Sequence, residues 1–176
     1  SPYNAIPMPI KKADGTYRVV IDWRSLNQLT TRDAYPLPTV DQNLSFLGDA
    51  NIFSTIDLLM GFHQQELHED SVLKTAFSTP SHGQLAFLRV PMGLTSSPGA
   101  FMRLVDSAVR HLPQGRVVVY LDDLCIPSKL ENMEDKSSHF QHVAEVLDAL
   151  IESGFTARCD KVHIGKKEVV YLGFLV

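Results

Sequence analysis

The sequence predicts an α+β domain, an antiparallel sheet with helices on one face. Strand-like and helix-like segments interleave without the regular βαβ alternation of a parallel sheet. The apolar strand segments are short and end on turn residues, and two long stretches carry apolar residues at helical spacing.

The first unit reads as a hairpin. Ile6 to Lys12 is extended, Ala13-Asp14-Gly15-Thr16 is a turn, and Tyr17 to Asp22 returns. Arg24 to Asn27 bends away, and Ala34-Tyr35-Pro36-Leu37-Pro38 is held extended by its prolines. A helix opens at Thr39, with Val40, Leu44 and Leu47 as its apolar face and Gly48 as its stop. Ile52 to Leu58 is a strand with Phe53, Thr55 and Asp57 on one face and Ile52, Ser54, Ile56 and Leu58 on the other. A short helical stretch follows around Met60 to Gln64. Lys74 to Thr79 and Leu85 to Val90 read as strands around Pro80-Ser81-His82-Gly83.

After the loop Pro91-Met92-Gly93-Leu94, Ser97 caps a helix that has Pro98 at its first position. Phe101, Leu104, Val105, Ala108 and Leu112 form its apolar stripe, and Pro113 stops it. Arg116 to Leu121 is an apolar strand, Leu124 to Pro127 its partner, and Asp122-Asp123 the turn between them. A second helix spans about 135–153, with Phe140, Val143, Leu147, Leu150 and Ile151 expected on the core face and Gly154 as its stop. Strands near Thr156-Ala157 and from Val169 to Leu175 close the chain.

Composition narrows the function. With 176 residues and 44% hydrophobic residues, the chain can build a core. No apolar run approaches the ~18 residues of a membrane helix, so no membrane partner is expected. The start, Ser1-Pro2-Tyr3-Asn4, has no signal pattern and reads as a cut from a longer chain. Cys125 and Cys159 form no CxxC, which excludes a disulfide framework and a cysteine-rich zinc site. Reduced thiols are compatible with cytosol or nucleus. His139 and His142, one helical turn apart, are a weak metal pair because no third ligand lies near them in sequence. The net charge of −4 argues mildly against a nucleic-acid binder. Acids neutralised by bound cations soften that objection, as does the basic group Lys11, Lys12 and Arg18.

Two adjacent acids at the tip of an apolar hairpin repel each other and resist desolvation. A solvated turn is the plain reading of Asp122-Asp123. Asp57, which also ends an apolar strand, changes the weighting. If the two strands are neighbours in one sheet, Asp57 and Asp122 converge at one end. Oxygen ligands without His or Cys suit Mg²⁺ or Mn²⁺, which retain waters and accept substrate phosphates. Two such ions about 3.5–4 Å apart clamp the attacking and leaving oxygens of a phosphoryl transfer. Nucleotidyl transfer and nuclease cleavage both remain open at this point.

A series of motifs chooses between them. Tyr120-Leu121-Asp122-Asp123 resembles the Y-x-D-D box of reverse transcriptases. Tyr17 to Asn27 resembles the fingers segment R-x-x-x-D-[YF]-R-x-L-N of that family, and Ala34 to Pro38 its usual sequel. Phe53 to Leu58 with Gly61-Phe62-His63-Gln64 resembles its first catalytic motif. Lys74-Thr75-Ala76-Phe77, then Pro91 to Pro98, follow in the family's order, and Tyr171-Leu172-Gly173 resembles the primer-grip hairpin. The resemblance spans essentially the whole chain and points to Ty3/gypsy-type LTR retrotransposons, with retroviral enzymes more distant.

The resemblance implies an RNA-directed DNA polymerase that adds deoxynucleotides to a primer 3′-hydroxyl with two Mg²⁺ or Mn²⁺ ions. It implies a reverse-transcriptase-like palm with a β-rich fingers subdomain. The expected division of a single catalytic domain fragment is fingers at about 1–31 and 65–97 and palm at about 32–64 and 98–176, without thumb or RNase H. Asp57 and Asp122 become metal ligands, joined by the Leu58 carbonyl, and Asp123 completes the acidic cluster. Lys12 and Arg18 hold the triphosphate, Phe62 is the steric gate against a 2′-hydroxyl, and Met92 lines the base and sugar pocket. Tyr120, Leu172 and Gly173 lie along the primer. Lys161 aligns with the lysine that protonates the leaving pyrophosphate. Implied partners are an RNA or DNA template with primer, deoxynucleoside triphosphates and the rest of a retroelement polyprotein. The implied location is a cytoplasmic virus-like particle or the nucleus, not outside the cell.

Several positions depart from the family pattern. Met92 stands where Phe or Gln is usual, Leu59-Met60 replaces a more polar pair, and Gly99 replaces Ala. Pro127 interrupts the second strand of the acidic hairpin, and Arg158-Cys159-Asp160 replaces Asn-Pro-Lys. Two rivals stand beside the polymerase: a degenerate or domesticated fragment that binds nucleic acid or a partner without catalysis, and a two-metal nuclease. The nuclease leaves the fingers motif unexplained.

Overall fold

A computed structural model describes residues 1–176. The chain divides into two compact units, Ser1–Ala34 with Phe62–Ala100, and Tyr35–Gly61 with Phe101–Val176.

The first unit opens with β1 (Ile6–Lys11) and β2 (Tyr17–Asp22), an antiparallel ribbon in the register Lys11↔Tyr17. Gly15, at φ 83°, turns the chain, and Asp14 accepts hydrogen bonds from the Thr16 N–H and hydroxyl. α1 (Arg24–Leu29) replaces the expected bend. Asp22 explains the helix start, because its carboxylate accepts from the Arg24 backbone N–H and clamps the Arg24 guanidinium. That pairing holds the Asp22 carboxyl down at about 2.

In the second unit, α2 (Val40–Ser45) starts with a full capping box. The Thr39 hydroxyl accepts from the Gln42 N–H, and the Gln42 side chain accepts from the Thr39 N–H. β3 (Ile52–Asp57) follows.

Returning to the first unit, the chain forms a 3₁₀ turn over Gly61–Gln64, the short α3 (Glu69–Val72), β4 (Phe77–Thr79) and β5 (Gly83–Leu85). The expected strand from Leu85 to Val90 is cut short. Its second half instead runs beside Gln65–Leu67, with Leu67 N–H donating to Leu88 O and Val90 N–H to Gln65 O. α4 (Ser97–Val109), whose residues from Phe101 onward belong to the second unit, accepts its first bond at the Ser96 carbonyl, one residue earlier than the expected cap.

β6 (Val118–Tyr120), β7 (Asp123–Ser128), α5 (Ser137–Glu152), β8 (His163–Lys166), β9 (Val170–Tyr171) and β10 (Phe174–Leu175) complete the second unit. Its sheet is antiparallel, in the order β6-β7-β3-β8.

Both faces of this sheet are covered. Phe53, Val118 and Cys125 pack with Leu47, Val169 and Tyr171 on one side. On the other, α5 buries His139, Val143, Val146, Ala149 and Leu150. The expected helical face was rotated by about one residue: Phe140 is 49% exposed and Ile151 68%. His139 draws the helix round. Its Nε2 lies 2.7 Å from Ser54 Oγ and its Nδ1 2.8 Å from Ser128 Oγ, and Ser128 Oγ also meets His142 Nδ1 at 3.0 Å. Gly165 N–H donates to Ser54 Oγ. Every group is satisfied if Ser54 donates to a neutral His139, His139 to Ser128, and Ser128 to His142. Burial, then His142 and Lys136, lower the His139 pKa. The two histidines tie the helix to the sheet, and both ring nitrogens of His139 are engaged in doing so.

Pro127 sits inside β7, opposite Phe53. Leu58 N–H donates to Asp122 O, so strict alternation makes Phe53 and Pro127 a pair that exchanges no bonds. The missing donor therefore points away from β3, past the end of β6, where no ladder requires it.

Candidate active site

Residues opposite each other in an antiparallel pair share a face. The register Asp57↔Asp123 and Tyr120↔Asp123 therefore sets Asp57, Asp123 and Tyr120 side by side at one end of the sheet. The neighbour of β3 is β7, not the first strand of the acidic hairpin. Asp57 thus faces Asp123 directly and meets Asp122 through the backbone, where Leu58 N–H donates to Asp122 O at 2.8 Å.

The turn also differs from the expected Asp122-Asp123. Tyr120 pairs with Asp123, so the loop is Leu121-Asp122 and Asp123 begins β7. Leu121 takes φ 54°, as the first central residue of this two-residue hairpin demands. A leucine there costs about 1 kcal/mol. Its N–H lies 3.0 Å from the Met102 sulfur on α4. Gly61 approaches the same turn, and a Cβ added to it would lie 3.2 Å from the Asp122 Cβ.

The three carboxylates share one electrostatic environment. Burial raises the Asp123 pKa, the charges of Asp122 and Asp57 raise it further, and Lys161 opposes them. The Asp57 side chain is 17% exposed, and its Oδ2 accepts from Lys161 Nζ at 2.7 Å. The chain around Lys161 is fastened to β3. Leu59 N–H donates to Thr156 O and Arg158 N–H to Asp57 O, each at 2.8 Å. The departure at Arg158-Cys159-Asp160 is absorbed locally by a 3₁₀ turn with an Arg158–Asp160 ion pair of 2.7 Å.

Leu58 buries its side chain, and its carbonyl accepts only a long 3.5 Å bond from Gly61 N–H. No three or more His, Cys, Asp or Glu side chains gather into a complete ion cage. The oxygen set of Asp57, Asp122 and the Leu58 carbonyl nevertheless suits a cation that fills its other positions with water and phosphate. The Lys161 ammonium already places a positive charge on it. A cavity of about 200 Å³, lined in part by Asp57, Asp123, Lys161, His163 and Leu172, lies alongside. Leu172 and Gly173, at φ 51° and 85°, close the β9–β10 hairpin. Tyr171 hydroxyl donates to Val118 O and anchors that hairpin to the sheet.

The remaining expected residues stand on the first unit. Lys12 and Arg18 are exposed at the end of the β1–β2 ribbon, and neither makes an ion pair. Phe62 is half-buried, and the Met92 side chain is 59% exposed. Two residues with no assigned role at the sequence level fix the Met92 loop. Trp23, buried, donates from Nε1 to Met92 O at 2.9 Å. Asn27 donates to Gly93 O and accepts from Thr95 N–H, both at 2.9 Å. Both lie in the quoted fingers segment, but the loop they hold is more than sixty positions away.

The chain matches the family described as reverse transcriptase (RNA-dependent DNA polymerase) over residues 10–176. It is 40% identical to the retrovirus-related Pol polyprotein from transposon 297 of Drosophila melanogaster, across 100% of this chain and 16% of that protein. It is 36% identical to the Pol polyprotein from transposon gypsy of the same organism, across 100% and 17%. The chain thus spans about a sixth of the length of these relatives. Among solved structures, it resembles the protease-reverse transcriptase of prototype foamy virus with a TM-score of 0.83 and 29% identity, over 97% of this chain and 22% of that one. A foamy viral protease-reverse transcriptase in complex with an RNA/DNA hybrid matches with a TM-score of 0.83 and 28% identity, over 98% and 22%. With its acids, hairpin turn and ordered motifs in one fold, this chain belongs to the reverse transcriptase family.

Proposed function

We propose that the chain is the fingers and palm portion of an RNA-directed DNA polymerase. Its first unit serves as fingers and its second as palm. One observation carries the reading: Asp57 and Asp123 are in register on adjacent strands, with Asp122 at the turn beside them.

Asp57, Asp122 and the Leu58 carbonyl would hold two Mg²⁺ or Mn²⁺ ions. Bound there, such ions would supply activation of a primer 3′-hydroxyl and neutralisation of charge on the leaving pyrophosphate. Asp123 adds negative charge that draws cations to the site. Arg18 and Lys12 bind triphosphate oxygens, for which the Arg fork is suited. Phe62 excludes a 2′-hydroxyl by its bulk, and Met92 lines the nucleotide pocket on a loop clamped by Trp23 and Asn27. Tyr120, Leu172 and Gly173 orient the primer end. Lys161 supplies a proton to the departing pyrophosphate.

The test is extension of a DNA primer on an RNA template with Mg²⁺ and deoxynucleotides. Asp122→Asn should abolish it, and unchanged extension would remove the assignment. Template–primer binding by the unsubstituted chain with no extension, metal supplied, would instead favour a non-catalytic binding role.

A further inference from the structure

Asp57 is a mostly buried carboxylate beside two others, and the cation on it, Lys161, comes from 104 positions later in the chain. The zipper from Thr156 to Arg158 along Leu59 to Asp57 delivers it: the Leu58↔Ala157 bridge, Leu59 N–H to Thr156 O, and Arg158 N–H to Asp57 O. Lys161 N–H then donates to Arg158 O at 3.0 Å, fixing the base of its side chain. Arg158 is committed to Asp160, which leaves the Lys161 ammonium as the direct partner of Asp57. Lys161 is itself 51% exposed and can swing away without unpacking anything.

We infer that the Lys161 ammonium competes with a divalent ion for Asp57 Oδ2, and that an ion binding there displaces it. The exchange would break one charged hydrogen bond and release the Lys161 side chain from Asp57. The inference rests on the metal-site reading above and adds a coupling between the lysine and the ion. Lys161 acts here through Asp57, as a positioning residue that lowers metal affinity and orders the events.

Mn²⁺ binding to the chain, followed by the electron paramagnetic resonance signal of free Mn²⁺, tests the coupling without any turnover. Lys161→Met should bind Mn²⁺ about 5- to 10-fold more tightly, since it removes a half-exposed competing pair. Lys167→Met, with the same change in net charge, should bind like the unsubstituted chain. Acetylation of Lys161 by a small acylating reagent should be slow without Mn²⁺ and fast with it. Equal or weaker Mn²⁺ binding by Lys161→Met, while Asp57→Asn abolishes binding, would overturn the inference and leave the metal site standing. The same tightening in Lys167→Met would reduce the effect to bulk charge and also overturn it. Absence of Mn²⁺ binding by every variant would overturn the metal-site reading, and the inference with it.

Discussion

Two hairpins bear the charged residues assigned to the proposed reaction, and they are built in opposite ways. The β1–β2 ribbon bears Lys12 and Arg18, has only two strands, and exposes most residues on both faces. The β6–β7 hairpin bears Asp122 and Asp123, lies against β3, and is buried along β7 from Leu124 to Ser128. A lone two-stranded ribbon is only marginally stable in water. Its cations sit where solvent screens them and side chains can follow a ligand. The acids are held by a packed sheet that fixes their spacing at an electrostatic cost, visible in the raised Asp123 pKa. Under the proposed function this difference is what each set requires: charges that grip a ligand tolerate slack, whereas groups holding two ions about 4 Å apart would not.

Substitutions can sharpen or break that contrast. Asp57→Asn should lower primer extension by about 10³-fold or more, with no loss of melting temperature because it relieves repulsion. A clear fall in melting temperature would show that the acid is structural. His139→Ala should destabilise by about 2 kcal/mol, because Ser54 and Ser128 lose their shared buried partner. Denaturant titration measures this. The lowered His139 pKa means that the unfolded chain binds the proton more readily. The stability from neutral His139 is therefore fully present above the unfolded value near 6.5, and is lost as pH falls through the lower folded value. His139→Gln should flatten that acid-side slope. Arg18→Ala should raise the deoxynucleotide KM about tenfold with kcat little changed, and shift stability by less than about 0.5 kcal/mol. Gly61→Ala should lower kcat about threefold to tenfold by pushing the Asp122 turn, with a stability change of about 1 kcal/mol.

The legible parts of the fold were those with local signals. The β1–β2 turn, the Thr39–Gln42 box and β3 follow from turn residues, caps and alternation, whereas the expected single strand from Val169 to Leu175 is split into β9 and β10 by the Leu172-Gly173 turn. The α5 face was misjudged because a histidine satisfied by two serines counts as polar in sequence and buried in space. Leu88 to Val90 looked like a strand continuing β5, but its backbone partners are Gln65 and Leu67. The gathering of the carboxylates was legible because Asp57 and the Asp122-Asp123 pair both end apolar strands, which one sheet brings to the same end. The one-residue shift of the turn was not, since only pairing fixes whether Asp122 or Asp123 begins the strand. Trp23 and Asn27 were hidden because their work is done on backbone atoms of a distant loop.

The strand order has a consequence for how the chain assembles. β3 lies in the middle of its sheet, yet its partners β7 and β8 come much later in sequence. Ser54 and Gly165 are 111 positions apart, and Asp57 and Lys161 are 104. During synthesis, Ile52 to Ile56 emerges with neither neighbour available, an apolar strand with both edges open. Contacts this distant in sequence slow folding, because closure of the loop precedes any gain from pairing. The central strand thus waits for β7 and β8, and the acidic site comes into being only once both have joined it.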